Sequence, residues 1–257
     1  MRIVIKIGTS TLTHSTGRTN IRRTEDLCRV ISDLKNNGHE IILVSSGAIA
    51  MGVGKLNLSA RPTDSPTKQA AAAVGQCELM YIYDKLFAEY NHIVAQILIT
   101  GPDINDPVRK ENFHNTLNRL LELHVLPIIN ENDTVSTEEL GIGDNDTLSA
   151  TVAASVSADL LVLLSDIDGL YDADPHVNPD AKLIPVVKHL DEHILSLAGG
   201  KGSALGTGGM VTKLKAAQIA GDAGVDMVIA NGKNPELLYD IAEQRPVGTK
   251  FLSERKN

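Results

Sequence analysis

The stretch Glu40-Ile-Ile-Leu-Val-Ser45-Ser46-Gly47-Ala-Ile-Ala50 sets the terms of the fold. Ile41 to Val44 are aliphatic without a break, so a strand here has no solvated face and both sides must be covered, as in a parallel sheet. Hydroxyls and a glycine then open a helix. Short aliphatic runs recur at Ile3–Ile7, His92–Ile99, Val125–Asn130, Leu160–Ser165 and Val225–Ala230. Helical patterns separate them. Leu27, Val30, Ile31 and Leu34 share one face and stop at Gly38, a good C-cap. Ser65-Pro66 opens an Ala-rich stretch to about Tyr90, and Asn112–Leu123, Met210–Ala223 and Pro235–Ala242 supply further helices. Such alternation predicts a doubly wound α/β fold with right-handed crossovers, whose ligands bind beyond the carboxyl ends of the strands. Glu131–Asp144 reads as a small hairpin and Asp172–Leu183 as a polar loop. Without internal repeats or a low-complexity linker, residues 1–257 read as one domain.

Composition narrows the function. Hydrophobic residues make up 42% and charged residues 22% of 257, the balance of a globular chain. There is no Trp, with three Phe and five Tyr, so the core is aliphatic and stacking platforms for bases are not expected. A net charge of −8 without a basic run argues against nucleic-acid and anionic-membrane partners. An anionic ligand must then be met by a few placed lysines and by backbone N–H groups. Cys28 and Cys77 lack metal or disulfide spacing and read as ordinary buried thiols in a reducing compartment. No signal-peptide pattern or membrane-length apolar run is present, and the expected location is the cytoplasm.

Five stretches carry chemistry, weighed against plainer explanations. Lys6-Ile-Gly8-Thr-Ser10 ends the first strand, where Gly8 lets backbone approach a phosphate and Lys6 reaches it from a rigid support. Taken alone, a solvated lysine before a turn is the better reading. Ser46-Gly47 at a helix start makes an anion site from N–H groups and the macrodipole, though plain N-capping explains it equally well. Asn130-Glu-Asn132-Asp133-Thr134 and Gly143-Asp144-Asn145-Asp146 are denser in polar groups than turns and caps require. Asp166-Ile-Asp168-Gly169 only faintly resembles a calcium loop; it fails the spacing and lacks the closing Glu. Gly206-Thr-Gly-Gly-Met-Val-Thr-Lys213 places glycines before a helix with Thr212 and Lys213 in its first turn, which is phosphate-cradling logic without a Walker order. A surface loop remains the alternative. The eight histidines show no ligand spacing, and no metal site is expected.

Taken together and in this order, Lys6-Ile-Gly-Thr-Ser, Val44-Ser-Ser-Gly-Ala-Ile-Ala, Ile129-Asn-Glu-Asn-Asp-Thr, Gly143-Asp-Asn-Asp, Ser165-Asp-Ile-Asp-Gly-Leu-Tyr and Gly206-Thr-Gly-Gly-Met-Val-Thr-Lys resemble the amino-acid kinase superfamily, and within it the branch acting on free glutamate. The resemblance implies a three-layer α/β/α sandwich around a mostly parallel sheet. A substrate-binding half of about 1–158 is expected to precede a nucleotide-binding half of about 159–257. It implies ATP as phosphoryl donor, with Mg²⁺ held mainly through the ATP phosphates. On matched positions it implies that Lys6 and Lys213 stabilise the transferring group and that Asp146 orients them. Ser46, Gly47, Asp133 and Asn145 would bind glutamate, with Asp144 nearby. Ser165, Asp166, Thr207, Gly208, Gly209, Met210, Val211, Thr212 and Lys213 would hold the nucleotide. Ser165 stands where the family usually has Thr, which keeps the hydroxyl. The product implied is glutamyl 5-phosphate, the first intermediate toward proline, with proline a candidate feedback inhibitor and a homo-oligomer the expected assembly. Many members carry a C-terminal PUA domain, which this chain is expected to lack. A sister kinase acting on acetylglutamate, aspartate or a nucleoside monophosphate, or a non-catalytic sensor of the same fold, is the alternative.

Overall fold

The structure is a computed structural model that describes residues 1–136, 144–175, 177–198 and 209–253. In the first half the elements are β1 Arg2–Ile7, α1 Thr9–Leu12, α2 Ile21–Asn36, β2 Glu40–Ser45, α3 Ala48–Lys55, α4 Ser65–Ala88, β3 Val94–Ile99, α5 Gly101–Asn105, α6 Pro107–Glu122 and β4 Leu126–Glu131. The chain continues with α7 Asn145–Ser155, β5 Leu160–Ser165, β6 Val186–Val187, α8 Glu192–Leu197, α9 Met210–Asp222, β7 Asp226–Asn231, α10 Leu237–Ala242 and β8 Thr249–Phe251.

One sheet runs through both halves in the order β3-β4-β2-β1-β5-β7-β8-β6. Its pairs are parallel except β7 with β8. Alternation along β1 divides the core. Ile3, Ile5 and Ile7 pack with Leu27 and Ile31 of α2 and Leu79, Tyr83 and Phe87 of α4. Val4 packs on the opposite face with Leu117 of α6, Leu148 of α7 and Leu214 of α9. Side chains two apart share a face of a strand. Lys6 therefore follows Val4 toward α7 and α9, at the centre of the sheet, opposite Val44 and Leu163.

The chain leaves β1 for β2 on one side and later returns to β5 on the other, so a crevice opens beyond the carboxyl ends of these strands. One wall is α3, held by its contact with α4. A Cβ on Gly75 would lie 1.7 Å from the Ala48 carbonyl oxygen, and one on Gly52 would lie 1.8 Å from that of Ala71. Only glycine permits this approach, which brings the start of α3 against the crevice.

The predicted strands and long helices are present, with differences at their margins. The segments Val186–Val187 and Thr249–Phe251 are strands too short to show a period; buried Thr249 ties them in by donating to the Ile184 carbonyl (2.6 Å) and accepting from Leu170 N–H (2.8 Å). Helix α6 begins at Pro107 rather than Asn112, because Asp106 caps it through Arg109 N–H (2.9 Å) while its first turn stays exposed and adds nothing to the buried face. Cys28 is buried as expected, but Cys77 is exposed on α4. The hairpin expected over 131–144 falls partly outside the described residues; Asn132 to Ser136 form a turn, with Ser136 N–H bonded to the Asn132 carbonyl (2.9 Å). Among the described residues no helix is long and apolar enough to cross a membrane.

Candidate active site

Helix α7 brings three consecutive polar side chains to the crevice. Asp144 caps it, accepting from the N–H groups of Asp146 (2.7 Å) and Thr147 (2.9 Å). A carboxylate there satisfies otherwise orphan donors and complements the helix dipole. With the first turn fixed, Asp146 points inward, 1% exposed, and takes Lys6 Nζ at 2.7 Å on one oxygen and Lys213 Nζ at 3.2 Å on the other. Thr212 Oγ1 donates to the second oxygen at 3.0 Å. Burial pushes the Asp146 carboxyl up, but the two lysines outweigh it and hold it below the usual carboxylate range. One carboxylate thus fixes two ammonium groups delivered by a strand and by a helix.

Asn145 turns the other way, donating to Ser46 Oγ (2.7 Å) and Asn130 Oδ1 (3.0 Å). Ser46 precedes Gly47, whose φ of 107° is left-handed and places the first turn of α3 over the crevice. Neither α3 nor α9 has a side-chain cap, in contrast to α7, so among the described residues their first N–H groups meet no side-chain acceptor. Such helix starts receive anions.

These groups line a cavity of about 370 Å³ together with Gly8, Thr9, Ser10, Arg61, Glu131, Asp133, Ser165 and Asp166. Asp133 is pushed up to about 6 by burial and by neighbouring Glu131, with Arg61 opposing. Ser165 Oγ donates to Asp166 Oδ1 (3.1 Å). Asp168, from the calcium-like stretch, spends its oxygens on Asn231 Nδ2 (2.7 Å) and the Tyr171 hydroxyl (3.1 Å).

The structure thus gathers Lys6, Ser46, Gly47, Asp133, Asp144, Asn145, Asp146, Ser165, Asp166 and Lys213 around one cavity. Gly209, Met210, Val211 and Thr212 open α9 beside it without lining it, and Val211 is exposed. Thr207 and Gly208 lie outside the described residues. Arg61, between α3 and α4, was not anticipated, because one arginine in a polar connection carries no sequence signal. Asn130 and Glu131 stood in a noted motif without a role.

A buried carboxylate thus grips two lysines beside helix starts that carry no side-chain cap, at the switch point of this sheet. The amino acid kinase family model matches residues 1–231, and the chain belongs to the amino acid kinase family. Within the family, it is 52% identical over 258 residues to the glutamate 5-kinase of Clostridium perfringens, covering 99% of this chain and 96% of that protein. It is 51% identical to the glutamate 5-kinase of Listeria monocytogenes serovar 1/2a over 99% of this chain and 94% of that one. Identity is 54% to that of Caldanaerobacter subterraneus, over 98% of this chain and 68% of the relative's length. Among solved structures, an isopentenyl phosphate kinase product complex from T. acidophilum superposes with a TM-score of 0.68 at 18% identity, covering 98% of this chain and all of that one. UMP kinase from Ureaplasma parvum gives 0.66 at 16%, covering 98% of each chain. These two likenesses speak to the fold.

Proposed function

We infer that the chain is an ATP-dependent kinase that phosphorylates the side-chain carboxylate of L-glutamate, giving L-glutamyl 5-phosphate in the first step of proline biosynthesis. The observation carrying this reading is the Lys6–Asp146–Lys213 cluster opening into the same cavity as Ser46, Asp133 and Asn145. The identity to glutamate 5-kinases over nearly the whole chain supports glutamate as the acceptor.

The chemistry asks little of the protein by way of proton transfer. A glutamate side chain, with a pKa of about 4.3, is already a carboxylate at neutral pH, so no general base is needed. Catalysis is positioning and charge stabilisation. Lys6 and Lys213 neutralise the equatorial oxygens of the γ-phosphoryl group in flight, and Asp146 sets their spacing. The N–H groups opening α3 and α9 take the acceptor carboxylate and the nucleotide phosphates. Residues 1–158 carry the amino acid and residues 159–257 the nucleotide, the latter along Ser165, Asp166 and Thr207–Lys213. Among the described residues no group of three His, Cys, Asp or Glu side chains is arranged to hold a metal. Mg²⁺ fits this site as an ion carried on the ATP phosphates and water, where it neutralises phosphate charge. At the far side Asp133 receives the α-ammonium group and Arg61 the α-carboxylate.

The test is an acceptor panel with Mg-ATP and hydroxylamine, which traps an acyl phosphate as its hydroxamate. Hydroxamate from glutamate, exceeding that from aspartate and acetylglutamate, is the expected result. ADP formation with another acceptor and none with glutamate would sink the assignment.

A further inference from the structure

A hydrogen-bonded chain of four side-chain amides runs from the edge of the sheet to the cavity. Gln76 of α4 donates to Gln96 Oε1 on β3 (3.1 Å), Asn130 of β4 donates to Gln76 Oε1 (3.0 Å), and Asn145 of α7 donates to Asn130 Oδ1 (3.0 Å). Gln76 and Asn130 are buried. The two ends of an amide differ little in shape, so its direction must come from its partners. Here one partner leaves no choice. The backbone N–H of Glu131, which can only donate, sits 2.9 Å from Asn130 Oδ1. Asn130 must therefore offer its NH₂ to Gln76, Gln76 must answer with its carbonyl, and Asn145 must offer its own NH₂ to the fixed oxygen. What is left on Asn145 is Oδ1, buried and without a hydrogen-bond partner among the described residues, on a side chain that lines the cavity.

We infer that Gln76 is a positioning residue: through Asn130 it fixes which way the Asn145 amide faces, so that Oδ1 is the end left to take an N–H from the substrate's α-ammonium group. This rests on the amino-acid subsite proposed above. A buried carbonyl without a donor is unfavourable, and an ammonium group brings three donors and no acceptor. The same polarity makes Ser46 Oγ an acceptor from Asn145, leaving its hydroxyl hydrogen for an anionic oxygen of the substrate. Gln96, at the other end, ties the chain to β3.

Glutarate, which is glutamate without the amino group, isolates the effect. Gln76→Met keeps the volume and removes both amide bonds. It is expected to raise KM for glutamate about tenfold, the scale of one buried hydrogen bond, while KM for glutarate stays within about twofold and kcat within about threefold. Gln76→Glu still accepts from Asn130 and is expected to retain most of the glutamate preference. Should Gln76→Met fail to fold, Gln76→Ala in this Ala-rich helix gives the same reading. Equal losses with both acceptors, or a glutamate preference untouched in Gln76→Met, would overturn the role of Gln76 alone. A parent enzyme with no preference for glutamate over glutarate would overturn the subsite reading and this inference with it.

Discussion

At one side of the cavity, beneath β1 and α9, two ammonium groups share one carboxylate at 2.7 and 3.2 Å. At the other, beyond β4, Asp133 and Glu131 stand near each other, and Arg61 forms no ion pair or hydrogen bond among the described residues. The strand order puts β4 two strands from β1, roughly 10 Å away. The first group of charges is held together by its own ion pairs, which suits a site that must meet charge developing in a transition state without reorganising. The second holds a carboxyl pushed up to about 6 by burial and by neighbouring Glu131, which suits a subsite that receives a cationic group. On the function proposed above, chemistry and recognition are divided between these two groups.

Breaking the paired side should cost most. Asp146→Asn removes the carboxylate that both lysines share and is expected to lower kcat at least about a hundredfold with little change in KM for glutamate; the exchange is made at a buried ion pair, so circular dichroism should accompany the kinetics. Lys6→Met and Lys213→Met are each expected to lower kcat at least about tenfold. Full turnover in both would remove the cluster from the chemistry. On the Asp133 side the loss should move to KM. Asp133→Ala is expected to raise KM for glutamate about tenfold and spare glutarate. Arg61→Ala is expected to raise it similarly and spare 4-aminobutyrate, which lacks the α-carboxylate. Matching losses with every acceptor would erase the division between the two sides.

Acidity sharpens the comparison further. Asp133 loses its charge as pH falls through about 6, so kcat/KM for glutamate should drop on an acid limb near that value. Asp133→Asn should lack this limb, and its persistence would assign the limb to another group. The smallest effect concerns stability. Because the folded-state pKa of Asp133 lies above its ordinary value, the folded chain binds the proton more tightly than the unfolded one, and ionising Asp133 opposes folding as pH rises toward 6. Asp133→Asn is therefore expected to be more stable by about 1 kcal/mol at pH 8, a gain that disappears toward pH 4. A thermal midpoint unchanged or lowered at pH 8 would contradict the burial of that charge.

The same division explains what the sequence made legible. Lys6, Asp146 and Lys213 sit at a strand end and at two helix starts, where residue type and position are both informative, and their shared cavity follows from the sheet order. The aliphatic strands announced themselves because burial on both faces removes alternation. The recognition side was harder to see. Arg61 lies in a connection without periodicity, and Gln76 sits within an Ala-rich helix where a glutamine reads as surface. Its chain to Asn145 joins α4, β3, β4 and α7, a meeting that no local pattern encodes. Likewise Val186–Val187 and Thr249–Phe251 are strands only because the sheet edge recruits them.

The most direct measurement follows the attacking atom. Glutamate labelled with ¹⁸O in its side-chain carboxylate, incubated with Mg-ATP and hydroxylamine, forms an acyl phosphate whose bridging oxygen comes from the substrate. Hydroxylamine attacks the acyl carbon, so the phosphate released keeps that oxygen. Phosphorus NMR is expected to show inorganic phosphate carrying one ¹⁸O, its amount matching the ADP formed and falling with Lys213→Met. Phosphate free of the label, released at the same rate with or without glutamate, would mean that ATP is merely hydrolysed, and would contradict phosphoryl transfer to the carboxylate at this site.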